Sequence, residues 1–159
     1  MKVEMNLQGI DNVLKTLQSL PAEVVSKRGG PVKLALAKGA RALRDKARQN
    51  LQRSIDIRGS DSTGTTVKAV VASRGKAPTG TKGERQLVRV KQKTFANAHG
   101  ERTSTRMTAN LLEYGSAHQP ATPWLRPSVA TDAPKVIDVI TADLNARIQE
   151  AVKKLAKSG

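Results

Sequence analysis

The chain has 159 residues, carries 28 Lys or Arg against 13 Asp or Glu for a formal charge of +15, and contains no cysteine. This length suits one domain, residues 1–159, burying roughly two thirds of its unfolded surface, and the lack of cysteine excludes a disulfide framework or thiolate chemistry and suits a reducing cytoplasm. Met1-Lys2-Val3-Glu4-Met5-Asn6 lacks the apolar core of a signal peptide, and no uncharged apolar run approaches the roughly 20 residues that span a bilayer, so no membrane contact is expected.

In chain order, Val3, Met5 and Leu7 alternate with polar residues as in a half-buried opening strand. Asp11 can cap a short helix carrying Ile10, Leu14 and Leu17, which Pro21 interrupts. After Gly29-Gly30-Pro31, Val32, Leu36, Ala40, Leu43, Ala47 and Leu51 recur at helical steps and predict a long central helix. Lys38, Arg41, Arg44 and Arg48 share an adjoining face. That face is either ordinary solvated surface or a contact for DNA or an acidic partner.

Gly59 to Gly64 reads as a turn-rich connection and Val67 to Ala72 as a strand. Ser73 to Gly83 reads as a mobile tip. Arg85 to Lys93 reads as a strand that points Val88 and Val90 one way and Arg85, Arg89, Lys91 and Lys93 the other. The result is a basic, flexible β-hairpin insert at about 57–106. Arg58 to Arg106 holds eleven Lys or Arg against Asp61, Glu84 and Glu101, so the charge excess is concentrated here. Phe95 is its only aromatic, which leaves no stacking platform for single strands, so contact with nucleic acid would be to phosphate.

Met107 to Tyr114 reads as a third strand, and Thr131 or Asp132 as the cap of a last helix carrying Ile137, Ile140, Leu144, Ile148, Ala151 and Leu155. Lys153, Lys154 and Lys157 suit the negative end of that helix. The expected fold is α+β: a small, mostly antiparallel sheet with a basic β-hairpin, packed against a long central helix and a C-terminal helix.

Little in the chain suggests catalysis. His99 and His118 are the only histidines, and no cluster has the spacing of a metal site, so neither metal nor cofactor is expected. Ser116 and His118 could share a face, but no acid is placed to orient the imidazole and no Gly-x-Ser-x-Gly elbow is present. Gly75 and Gly80 have P-loop separation, yet Thr81-Lys82 stand in the wrong order and a strand follows where a helix is needed. No catalytic residue is assigned, and the chain is expected not to be an enzyme.

The densest pattern runs from Leu111 to Pro127. It contains Tyr114 and Trp124, and an apolar run closes in Glu113-Tyr114-Gly115 before Pro120, Pro123 and Pro127. Taken alone, it is either a proline-rich loop folded onto its own core with Trp124 as a plug, or a stiff docking element in which Trp124 and Arg126 anchor a partner.

The segment resembles the signature of the tail-completion, or head–tail joining, neck proteins of long-tailed lambdoid-type phages. That signature is a strand ending in Glu-aromatic-Gly-Thr, then Pro-Ala-x-Pro-aromatic-apolar-Arg-Pro. Glu113, Tyr114, Gly115, Pro120, Ala121, Pro123, Trp124, Leu125, Arg126 and Pro127 match it, with Ser116 for threonine and Trp124 for the commoner phenylalanine. Leu7, Gly9, Ile10, Leu14, Leu17, Leu20 and Pro21 resemble the family's opening. The family's Thr-Gly-x-Leu-x-x-Ser-Ile is rearranged here, since Ser54-Ile55 precede Thr63-Gly64.

The resemblance implies a structural virion protein, assembled in the host cytoplasm, that forms a ring, hexameric by tail symmetry, around the DNA channel. Its neighbours would be a head-closure or stopper protein, a tail terminator or the tail tube, with channel DNA as a further contact. The interface would use Glu113, Tyr114, Gly115, Pro120, Pro123, Trp124, Leu125, Arg126 and Pro127, with Glu113 as a charge, Trp124 as the desolvated anchor and Arg126 as a carboxylate partner. Lys38, Arg41, Arg44, Arg48, Arg85, Arg89, Lys91 and Lys93 would meet DNA or acidic protein. Alternatives are a free, non-specific DNA-binding protein and a tail-terminator subunit.

Overall fold

The computed structural model describes residues 30–59, 64–77, 79–80 and 83–158, together with Lys15. The expected opening strand and Asp11-capped helix lie outside the described residues, as do residues 60–63 of the turn-rich connection.

Helix α1, Pro31–Arg58, begins with Pro31 in its first turn, where the missing N–H has no helical partner to lose. A short helix α2, Thr65–Lys68, leads into strand β1, Val70–Arg74. Strand β2 is Gln86–Val90, β3 Thr94–Ala96 and β4 Arg102–Ser104; helix α3, Thr105–Tyr114, and helix α4, Leu125–Ser158, complete the order. The fold is α+β, with the strands forming two antiparallel pairs. β1 pairs with β2 in the register Val70↔Val90 to Arg74↔Gln86, and β3 pairs with β4 with Phe95 opposite Thr103.

α1 and α4 run antiparallel: Asn50 meets Ser128 at one end and Lys38 meets Asp143 at the other. Small residues on α1 set the spacing. Ala35, Gly39 and Ala40 are buried, and a methyl group added at Gly39 would overlap the Ile140 side chain. Ala35, Leu144 and Ile148 pack there with Val32 and Ile140. Lys38 Nζ and Arg147 Nε reach the two oxygens of the buried Asp143 carboxylate at 2.8 and 2.5 Å.

The larger core lies at the other end. Ala47, Leu51 and Ile55 of α1, Val70 of β1, Ala109 and Leu112 of α3, and Trp124 form one cluster, with Val67, Val88, Val90 and Leu125 against it. Val70 is fully buried, so the β1–β2 hairpin packs into this core. Val88 and Val90 face inward while Arg89 is exposed, as the alternation predicts.

Three sequence expectations are corrected. Met107 to Tyr114 is helix, not strand: the Ser104 hydroxyl caps it by accepting from Met107 N at 3.3 Å, and Thr105, Ala109, Leu112 and Glu113 are buried at three- and four-residue steps. The apolar pair Leu111-Leu112 is equally compatible with either period, and the cap decides. The strand expected over Val67 to Ala72 begins only at Val70, because Val67 and Lys68 belong to α2. The last helix starts at Leu125, six residues before Thr131, so Thr131 and Asp132 are interior. Pro134 also lies inside it, which removes one main-chain hydrogen bond.

Gly39→Val should lower unfolding free energy by about 2 kcal/mol through overpacking against Ile140. Urea denaturation followed by circular dichroism measures this, and an unchanged midpoint would show that the two helices do not need this close approach.

Candidate functional site

The Glu113–Pro127 segment forms the joint between α3 and α4. A helix begins with four main-chain N–H groups that have no helical acceptor. Here they belong to Trp124, Leu125, Arg126 and Pro127, and Pro127 has none to satisfy. The other three reach the Glu113 carboxylate: Trp124 N and Leu125 N donate to Oε2 at 2.7 and 2.8 Å, and Arg126 N donates to Oε1 at 3.2 Å. Arg126 Nε adds a fourth bond at 2.8 Å, and its Nη2 donates to the Glu113 carbonyl at 2.9 Å. A side chain from the end of α3 thus does the work of an N-cap for α4, and its negative charge sits at the positive end of the helix dipole.

Glu113 is 3 % exposed. Burial pushes its pKa up, but the hydrogen bonds from Leu125, Trp124 and Arg126 outweigh it, leaving the carboxyl below its ordinary 4.5.

Between the two helices, Gly115 adopts φ 75° and ψ −173°, a conformation essentially limited to glycine. A Cβ there would stand 2.7 Å from Gln119 O and 2.8 Å from Ala121 N. Ser116 and Gln119 close the turn by paired backbone hydrogen bonds of 2.7 and 3.2 Å, and Thr122 N returns to Leu112 O at 2.8 Å. The Ser116 hydroxyl accepts from His118 N at 3.3 Å, so it serves the turn.

Trp124 is 3 % exposed, and its indole N–H donates to Ala109 O at 3.0 Å. Ser128 Oγ donates to Trp124 O at 2.6 Å and accepts from Asn50 at 2.8 Å, tying the joint to α1. Glu113 and Trp124 are therefore engaged within the chain. The side chains expected as the desolvated anchor of an interface, Trp124, and as its charge, Glu113, are buried inside the chain, where Trp124 plugs the core and Glu113 caps α4. The outward members are Tyr114, 69 % exposed, with Pro120, Pro123, Arg126 and Pro127. Leu125 is half-buried. The Arg126 guanidinium lies 5.3 Å above the Tyr114 ring centroid.

The basic residues divide in the same way. Lys38 pairs with Asp143, Arg44 pairs with Asp45 at 2.7 Å, and Arg48 donates to Val70 O at 2.9 Å and Lys68 O at 3.3 Å. Arg48 is thus a tie between α1 and the hairpin, not a free cation. Arg41, Arg85, Arg89, Lys91 and Lys93 are exposed. At the turn end of the hairpin, Arg74 holds Glu84 through two bonds of 3.0 and 2.7 Å.

Two hollows accompany the joint. One of about 560 Å³ lies beside the end of α1 and the β3–β4 pair; among the described residues its walls include Arg58, Phe95 and His99 but no carboxylate. The other, about 220 Å³, lies between β2 and the outer face of α3. Among the described residues, no group of three His, Cys, Asp or Glu is placed to hold a metal, and no helix is long and apolar enough to cross a membrane. In comparisons with protein families, curated proteins and solved structures, nothing matches this chain.

The intramolecular cap explains residues that sequence reasoning assigned to a partner. Its missed members, Asn50 and Ser128, carry no motif of their own. Ser128 lies four residues after Trp124 and was detectable only once the helix start was known.

Trp124→Ala should destabilise the protein by about 4 kcal/mol, measured by urea denaturation. Glu113→Gln should cost about 2 kcal/mol at neutral pH. Because the folded-state pKa of Glu113 is depressed, its contribution is present above 4.5 and disappears as pH falls through the folded value. The wild-type and Glu113→Gln stabilities should therefore converge on acidification. A gap that stays constant would contradict the charge-based cap.

Proposed function

We propose that the protein is a non-enzymatic structural subunit of a phage neck, acting in tail completion or head–tail joining. The observation that carries this reading is the ten-residue match to the neck signature, from Glu113 to Pro127, in a chain of 159 residues. The geometry gives that signature a physical rationale. Its glutamate, glycine, tryptophan and arginine each take part in the one joint that links α3 to α4, and its last proline stands where the helix start needs no N–H.

In this reading several copies close a ring around the DNA channel through a heterologous interface, in which one patch meets a different patch on the next copy. Hexameric symmetry would match the tail. The subunit assembles in the host cytoplasm and ends in the virion, between a head-closure or stopper protein and the tail terminator or tail tube. The signature's inner residues keep the subunit in shape, and its outward residues, Tyr114, Pro120, Pro123, Arg126 and Pro127, are the ones available to neighbours.

A second reading, non-specific DNA binding, draws on the exposed row Arg85, Arg89, Lys91 and Lys93. It requires a steep salt dependence and little sequence preference. Weak binding to duplex DNA at physiological salt would remove it.

A stop codon placed in this gene alone tests the neck role. Electron microscopy of the lysate should show DNA-filled heads beside unattached or proximally defective tails. Normally joined particles would overturn it.

A further inference from the structure

The outer face of α3 carries two large apolar side chains that the fold leaves uncovered. Met107 is 58 % and Tyr114 69 % exposed, two helical turns apart and so on one side of the helix. Tyr114 lines the hollow of about 220 Å³, together with Val90, Trp124, Leu125, Arg89 and Arg106. Its base is rigid, because the Trp124 indole is held by Ala109 O and the neighbouring main chain by Glu113. Arg106 Nε donates to Val90 O at 3.3 Å, which ties this guanidinium to β2. Arg126 stacks over Tyr114 at 5.3 Å.

Among the described residues, Glu113 is the only carboxylate lining the hollow, and its oxygens already receive four hydrogen bonds. Arg126 is paired with Glu113, whereas Arg89 and Arg106, both exposed, line the hollow without an acidic partner among the described residues. An apolar hollow beside an exposed aromatic and two guanidinium groups is the composition of a protein-binding hot spot.

We infer that this face is a docking site for a short acidic segment of a different protein, which seats one apolar side chain against Tyr114 and Val90 between flanking carboxylates. A second copy of the chain is the poorer occupant of this face, because with 13 Asp or Glu against 28 Lys or Arg it is a poor source of an acidic segment. Nucleic acid supplies the negative charge but no aliphatic side chain for the hollow. The inference concerns partner chemistry and holds whether or not the partner belongs to a phage neck.

The test uses the full chain and two fluorescein-labelled synthetic peptides, Gly-Glu-Asp-Leu-Glu-Asp-Gly and the same peptide with glycine in place of leucine. Fluorescence anisotropy at moderate salt should show the leucine peptide binding about tenfold more tightly. Tyr114→Ala should abolish that preference, whereas Arg89→Gln with Arg106→Gln should weaken both peptides. Lys153→Gln, at the far end of α4, should change neither. All these side chains are exposed, and circular dichroism checks that each variant folds.

Equal binding of the two peptides, no binding of either, or a leucine preference that survives Tyr114→Ala would overturn the inference. So would random-sequence duplex DNA that displaces the leucine peptide from wild type but not from Tyr114→Ala, since the face would then serve nucleic acid. Sedimentation showing wild-type oligomers that Tyr114→Ala dissolves would assign it to a second copy. Neck failure in the stop-codon experiment with a positive peptide result, or the reverse, separates this inference from the proposed role.

Discussion

The Glu113 carboxylate is the point on which the described structure turns. It closes the start of a 34-residue helix from outside that helix, accepting three main-chain N–H groups and the Arg126 side chain. Because the same helix forms the antiparallel pair with α1, the direction in which it leaves the joint determines whether Leu144, Ile148 and Asp143 meet Ala35 and Lys38. Gly115 makes the necessary turn in a space where its neighbours' backbones leave no room for a Cβ. Trp124 fills the space behind it. Loss of the carboxylate would leave the main-chain N–H groups of Trp124, Leu125 and Arg126 without this acceptor, a larger penalty than loss of a surface ion pair.

This arrangement separates two kinds of side chain that composition treats alike. Arg48, Lys38 and Arg44 make contacts within the chain, so part of the basic stripe on α1 belongs to the fold's own architecture. Arg41 and the alternating row on and beyond β2 remain outward. The net charge therefore overstates the free positive surface on α1 and represents it fairly on the hairpin. The exposed aromatic follows the same logic. Tyr114 is the last residue of α3, adjacent to buried Glu113, and the helix turns it outward beside Arg126.

The central helix was legible because its apolar residues keep a helical period through Ala47, Leu51 and onward, and the β1–β2 hairpin because Val88 and Val90 alternate with cations. The start of α4 was not. Thr131 and Asp132 are good local caps, whereas the residue that performs the task is 12 positions before Leu125 in the chain. Propensity cannot reveal a cap supplied across a turn. The strand expected at Met107 to Tyr114 failed for a related reason: Ser104 as an N-cap and Thr105 as a buried polar residue outweigh the apolar look of Leu111-Leu112. Thr105 is buried because its hydroxyl is matched, donating to Lys91 O at 2.6 Å and accepting from Lys93 N at 3.0 Å. At the site, the identities of Glu113, Gly115, Trp124 and Arg126 stood out in the sequence, but whether they faced a neighbour or each other depended on the helix start.

The central claim is that Glu113 is an ionised intramolecular cap. Its most direct measurement is an NMR titration of the Glu113 side-chain carboxyl carbon in the folded protein. The account predicts a midpoint below the ordinary 4.5 that moves upward in Arg126→Gln, where one donor is removed. A midpoint at or above 4.5, unaffected by Arg126→Gln, would contradict it.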